Sequence, residues 1–191
     1  DGIEKVEGVT GAAPFIQGLV FLNRGSEVVS PFLRGVDPAR ERRVSKVPDA
    51  IVEGAYRLGP GEILIGRELA RRAGLGAGDT VTAYSPQSFA RSDAIRLPED
   101  LTVSGIFDSG MYDIDNNFVL CSLPTARDLF AMTDGVHGIQ VMTSDPEQAP
   151  RIAARLAERL GLAYDVRTWM EMNRQLFAVL RVEKNMMFFL L

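Results

Sequence analysis

Apolar residues recur at two periods along this chain: every second position in short runs bounded by Gly, Pro and Asn, and every third or fourth in a few longer segments. Ile3, Val6 and Val9 read as the frayed end of an incoming helix. The runs 12–22 and 27–33 flank the turn signal Asn23-Arg24-Gly25-Ser26 and predict a hairpin. Gly35-Val36-Asp37-Pro38 closes it, and the polar stretch 38–48 reads as a connecting loop. Residues 62–65 predict a strand, 67–73 a short helix with Leu69, Ala70 and Ala73 on its buried face, and 79–84 and 101–107 two more strands. From 118 onward strands and helices alternate: strand 118–122, helix 125–132, strand 138–143, helix 146–160, strand 162–166 and a terminal helix. Ser144 or Asp145 caps the helix at 146, Pro146 fits its first turn, Ile152, Leu156 and Leu160 line one face, and Gly161 ends it.

The last segment, 168–191, changes character along its length. Thr168 and Glu171 have the spacing of a capping box, in which hydroxyl and carboxylate each satisfy a helix N-terminal amide. Trp169, Met172, Leu176 and Leu180 then form one apolar stripe. From Met186 to the last residue no polar side chain remains. That run is too short for a hydrocarbon core, which takes ~20 apolar residues in a helix. It reads either as the start of a severed transmembrane helix or as a helix buried in a core or an oligomer interface.

A hairpin followed by two βα units favours a ferredoxin-like α+β sandwich, with 36–115 as an inserted β-rich lobe. The resulting division is 1–35 with 116–170 as the α+β subdomain, 36–115 as the insert, and 169–191 as a stalk helix running into a truncated membrane helix.

Composition removes several function classes. Lys and Arg number 21 against 25 Asp and Glu, a net charge of −4, so no basic field favours nucleic acid. Arg40, Arg42, Arg43 and Lys46 form a local basic run, either a solvated loop or a contact for headgroups or an acidic partner. Cys121, the single cysteine, excludes an internal disulfide, and its setting in Phe118-Val119-Leu120-Cys121 reads as a buried strand. His137 is the single histidine, so zinc sites and Ser-His or Cys-His catalysis lack partners. The sequence carries no signal-peptide pattern at its start.

Three stretches invite functional readings. Gly74-Leu75-Gly76-Ala77-Gly78 follows a helix and enters a strand, the reverse of a dinucleotide fingerprint, and reads as a helix cap and turn. Asp113, Asp115 and Asn117 match the opening of a calcium loop, but Phe118 and Pro124 occupy its glycine and glutamate positions, so 108–117 reads as a polar turn with no metal. Residues 85–98 exceed the usual hairpin connection of about two to five residues. Pro86 and Pro98 stiffen the ends of this loop, and Phe89, Ile95, Arg91 and Arg96 furnish apolar and cationic side chains. It is either a binding loop or a plain insertion. Glu53, Glu62, Asp108 and Asp113 are the carboxylates open to acid-base chemistry, with no motif to assemble them.

Gly35-Val36-Asp37-Pro38, the blocks 59–81 and 102–119, and the terminal run with NRQLF and VEKNMM together resemble the lipoprotein-releasing ABC transporter permeases of the LolC/LolE family, over nearly the whole chain. The resemblance implies the large periplasmic domain between the first two membrane helices, with a porter-like subdomain and an inserted sabre-like one related to those of MacB-type transporters. It implies an inner-membrane protein without catalysis or cofactor of its own. A cytoplasmic ATPase subunit, LolD, would drive it, a second permease subunit would complete it, and an acylated lipoprotein would pass to the periplasmic carrier LolA. A protruding loop hooks that carrier in LolC-like members. The matching stretch here makes Ser85, Pro86, Phe89, Arg91, Arg96 and Pro98 the candidate contacts. A MacB-like or FtsX-like domain engaging an efflux channel or a cell-wall hydrolase is the alternative.

Overall fold

The computed structural model describes residues 2–86, 98–161 and 163–175. Backbone contacts divide the chain into two compact units, Gly11–Met142 and the combination of Asp1–Thr10 with Thr143–Leu191.

The larger unit is dominated by one mixed sheet. Its strands are β1 (Val9–Leu19), β2 (Phe21–Arg24), β3 (Glu27–Val29), β4 (Phe32–Val36), β5 (Ile51–Gly54), β6 (Glu62–Gly66), β7 (Thr80–Tyr84), β8 (Glu99–Phe107), β9 (Phe118–Ser122) and β10 (Gly138–Thr143). They run in the order β10-β1-β4-β9-β6-β8-β7-β2-β3, and β5 adds to β8. The expected hairpin is present and kinked. β1 pairs antiparallel with β4, β2 pairs with β3, and at the break the Val20 amide donates to the Pro31 carbonyl at 3.0 Å. Because β2 also pairs with β7, the far end of the strand order returns to the hairpin from which it began, and this part of the sheet closes on itself.

Strand alternation sorts side chains onto two faces. The inner face holds Ile16, Leu33, Ile63, Ile65, Val81, Leu101, Val103, Val119 and Cys121, each no more than 1% exposed. Two helices join the same cluster: α2 (Arg67–Ala73) through Leu69, Ala70 and Ala73, and α4 (Leu123–Leu129) through Ala126 and Leu129. Gly74 ends α2 in the left-handed conformation at φ 62°, as its place after the helix predicts, and Ser122 caps α4 by accepting from the Thr125 amide at 3.3 Å. The outer face buries Val36, Leu64, Phe107 and Leu120 under Val47, Leu58 and Tyr56.

Several expected elements differ. The stretch 38–48 is not an open loop. Asp37 accepts from the amides of Ala39 and Arg40, Pro38 starts α1 (Pro38–Glu41), and Glu41 and Val44 are buried at 3% and 1%. The polar turn at 108–117 contains α3 (Tyr112–Asn117), because Asp115 turns inward, 3% exposed, and accepts from the Ser109 amide at 2.8 Å. Ile3–Lys5 is a single 3-10 turn that gives way to β1.

In the smaller unit, a 3-10 turn at Pro146–Gln148 leads into α5 (Ala149–Leu160), whose buried side chains are Ile152 and Leu156. The Ser144 amide donates to the Gly8 carbonyl at 2.9 Å. Gly8 takes φ +90°, and a Cβ there would sit 2.7 Å from Ile152 Cδ1, so the N-terminal segment lies hard against this helix. The strand expected at 162–166 does not form over its described residues, 163–166. Residues 163–168 are turn and irregular structure, exposed apart from Val166 and Thr168. α6 (Trp169–Met172) starts at the expected capping box: the Glu171 amide donates to Thr168 Oγ1 at 3.2 Å, and the Thr168 amide to Glu171 Oε2 at 2.8 Å. Leu176, Leu180 and the apolar run from Met186 lie outside the described residues. Among the described residues no helix is long and apolar enough to cross a membrane.

Candidate partner-docking site

The long loop at 85–98 grows out of a rigid pair of strands. β7 and β8 are antiparallel with Thr80 opposite Thr102, Val81 opposite Leu101, Thr82 opposite Asp100 and Ala83 opposite Glu99. The Thr82 hydroxyl donates to Asp100 Oδ1 at 2.8 Å, a cross-strand bond one step from the point where the chain leaves the sheet. Val81, Ala83 and Leu101, all 1% exposed or less, anchor the same two strands from the inner face. The departure and return of the loop are therefore fixed by ladder and core together.

Of the residues singled out in the sequence, Ser85 is buried at 1% exposure, Pro86 is half-buried and Pro98 is exposed. Phe89, Arg91 and Arg96 lie outside the described residues. Ser85 holds the foot of the loop, while Pro98 reaches solvent beside it.

An apolar band that no local motif marks lies on the outer face. Leu19 pairs with Phe32, and Phe32 with Phe118, with ring centroids 5.9 Å apart. Leu19 and Phe32 are 38% and 43% exposed. Phe21, two positions along from Leu19, pairs with Tyr84 at the foot of the loop. Only strand register brings these residues together, although the Leu19 and Phe21 alternation was a visible signal.

Beside this band, Arg34 lies 4.3 Å over the Phe15 ring, donates to Gln17 Oε1 at 3.4 Å and also bonds Gln140, while its Nε is buried without a partner. Burial pulls the Arg34 pKa down, opposed by the charge of Glu41. Burial pushes the Glu41 carboxyl up, opposed by Arg34 and by a Ser45 hydrogen bond. The basic run is partly structural: Arg42 stacks 4.6 Å over Tyr56, and Arg40 reaches Asp37 at 3.8 Å.

The candidate acid-base carboxylates are dispersed. Glu53 accepts from the Ala77 amide, Glu62 binds Arg57 and the Gly59 amide, and Asp108 pairs with Arg67. Asp113 stands on α3. Among the described residues no group of His, Cys, Asp and Glu has the arrangement to hold a metal ion.

The mixed, sheet-dominated α+β architecture is shared with two solved extracytoplasmic domains. The extracellular domain of the noncanonic ABC-type transporter YknZ from Gram-positive bacteria superposes with a TM-score of 0.56 at 15% identity, over 84% of this chain and 81% of that one. The periplasmic region of MacB from Actinobacillus actinomycetemcomitans gives 0.52 at 12% identity, over 83% and 71%. Residues 1–159 match the MacB-like periplasmic core domain, and the chain belongs to that family. Among its relatives is the lipoprotein-releasing system transmembrane protein LolC of Neisseria meningitidis serogroup B, 31% identical over 98% of this chain and 46% of the relative. The protein of the same name from Xylella fastidiosa strain Temecula1 is 33% identical over 96% and 45%. The chain thus spans about half the length of these relatives.

Proposed function

We propose that this chain is the periplasmic domain of an inner-membrane permease that releases lipoproteins, and that it acts by docking a carrier and transmitting motion rather than by catalysis. The observation that carries the reading is the long loop rooted in the β7–β8 ladder, in a chain about a third identical to proteins named for lipoprotein release. The loop holds the periplasmic carrier LolA near the exit path, with Pro86, Phe89, Arg91, Arg96 and Pro98 as contacts and Ser85 at its buried foot. ATP hydrolysis by the cytoplasmic subunit LolD moves the membrane helices of this permease and of a second permease subunit, and the helix that begins at Trp169 passes that motion on. The acylated lipoprotein is then transferred to the carrier.

The division into a porter-like part, 1–35 with 116–170, and a sabre-like insert, 36–115, belongs to the same proposal. β6 of the insert pairs with β9 of the other part, Ile63 opposite Cys121, so the two parts would share a ladder instead of a linker.

The test is capture of purified carrier by the immobilised chain. Deleting 88–95 should abolish capture and leave the thermal unfolding transition in place, because Val81, Ala83 and Leu101 keep the strands anchored. Normal capture by the folded deletion variant would end the hook assignment. If the full-length permease instead recovered an outer-membrane channel or a cell-wall hydrolase and no lipoprotein carrier, the MacB-like or FtsX-like reading would replace this one.

A further inference from the structure

The smaller unit carries a feature that carrier docking leaves unused. Arg151, Arg155 and Arg159 stand four residues apart along α5 and are all exposed. At about 100° per residue they fall within about 80° of one another, on the flank beside the buried seam of Ile152 and Leu156. The charge is weakly compensated. Arg155 reaches Glu7 at 3.5 Å, but that carboxylate is itself 92% exposed, and Glu158 is the one acidic residue on α5.

The same unit exposes the large apolar side chains Tyr164, Trp169 and Met172, at 64%, 50% and 73%. Trp and Tyr with a polar end in water concentrate at membrane–water interfaces, where long cationic side chains also gather. Anionic headgroups attract each Lys or Arg held within a Debye length of the leaflet.

We propose that the arginine flank of α5, with Tyr164 and Trp169 of the same unit, rests on a phospholipid surface bearing anionic headgroups. The inference rests on the membrane reading of the preceding section and adds to it a specific lipid contact. Arginine suits this contact because its guanidinium fork can bond two phosphate oxygens while its stem lies along apolar surface.

The experiment is flotation of the whole chain with vesicles of phosphatidylcholine alone and with about a third phosphatidylglycerol, compared with the variant R151Q/R155Q/R159Q. All three arginines are exposed and the ion pair of Arg155 is to a 92% exposed carboxylate, so the variant should unfold at nearly the same temperature; circular dichroism checks this. The apolar run from Met186 can enter either vesicle, so the quantity read is the preference for anionic over neutral vesicles and its loss with salt. Each arginine beside an anionic leaflet accounts for about fivefold in partitioning. The triple variant should lose the preference by up to about a hundredfold and leave neutral-vesicle binding unchanged.

No preference in the parent chain, or an equal preference in the folded triple variant, overturns the proposal. Transfer of the loss to R40Q/R42Q/R43Q would assign lipid contact to that other basic run, and overturns it too. If the triple variant kept its vesicle preference and lost carrier capture, the flank would face an acidic protein surface. Loss of capture on deletion of 88–95, with or without lipid binding, speaks only to the docking reading, so the two fail separately.

Discussion

Burial sets the chemistry of several single residues. It pushes the Tyr56 hydroxyl up to about 12, helped by Glu41 and Asp37 and opposed by Arg42, while that hydroxyl donates to the Pro38 carbonyl at 3.2 Å. Tyr56→Phe should cost about 0.5–1.5 kcal/mol, the net worth of one such hydrogen bond, read from the urea midpoint. Burial also raises the Cys121 thiol far above the range of a reactive cysteine, so its modification by a thiol reagent should follow global unfolding, slow in buffer and complete in urea. Glu41 has a pH signature. Its carboxyl is raised above the ordinary 4.5, so the folded chain binds its proton more tightly than the unfolded chain. That contribution to stability is complete below about pH 4.5 and is lost as pH rises through the folded value. Stability of the parent relative to Glu41→Gln should therefore fall between acid and neutral pH, and a flat difference would place the ionised Glu41 in a fully compensated setting beside Arg34.

Close approach governs how the elements join. A Cβ on Gly66 would stand 2.6 Å from the Asp115 Cα, where β6 passes α3, and one on Gly35 would collide with Ala126 of α4. Either Gly→Ala change should destabilise by about 1–3 kcal/mol, the range for overpacking a fitted core, and chemical denaturation measures it. Caps behave more locally. Ser122→Ala at the start of α4 should cost about 1 kcal/mol. Such caps were legible in the linear sequence, since they depend on residues three apart: Thr168 with Glu171, and Gly74 after Ala73, stand as their spacing requires. α3 was not legible, because the helix depends on Asp115 reaching back to the Ser109 amide and on Gly66 of β6 leaving room for it. The absence of a strand over 163–166 has the complementary cause. A strand forms only where a ladder offers it partners, and Tyr164 and Asp165 face solvent instead.

Across the whole molecule, β6 and β9 hold the central place. β9 joins β4 in parallel and β6 antiparallel, and β6 continues to β8. Ile63 lies in that junction without exposure, so Ile63→Ala should cost about 2–5 kcal/mol and lower the urea midpoint well beyond any surface change. The strands that flank the long loop, β7 and β8, belong to the same sheet, and their backbone amides should be among the slowest to exchange with deuterium.

The sequence alone determined what short range decides: the hairpin and its turn, α2 and its glycine cap, β6 to β9, the capping box at Thr168, and the position of the long loop between two strands. These follow from side-chain period and from residues within one turn of each other. Tertiary structure decided the rest. Closure of the sheet through the kinked hairpin, burial of Glu41 beside Arg34, the outer band of Leu19, Phe32 and Phe118, and the folding of 38–48 onto that face all join positions far apart in the chain. Strand register and desolvation bring such positions together, and neither can be counted along a sequence.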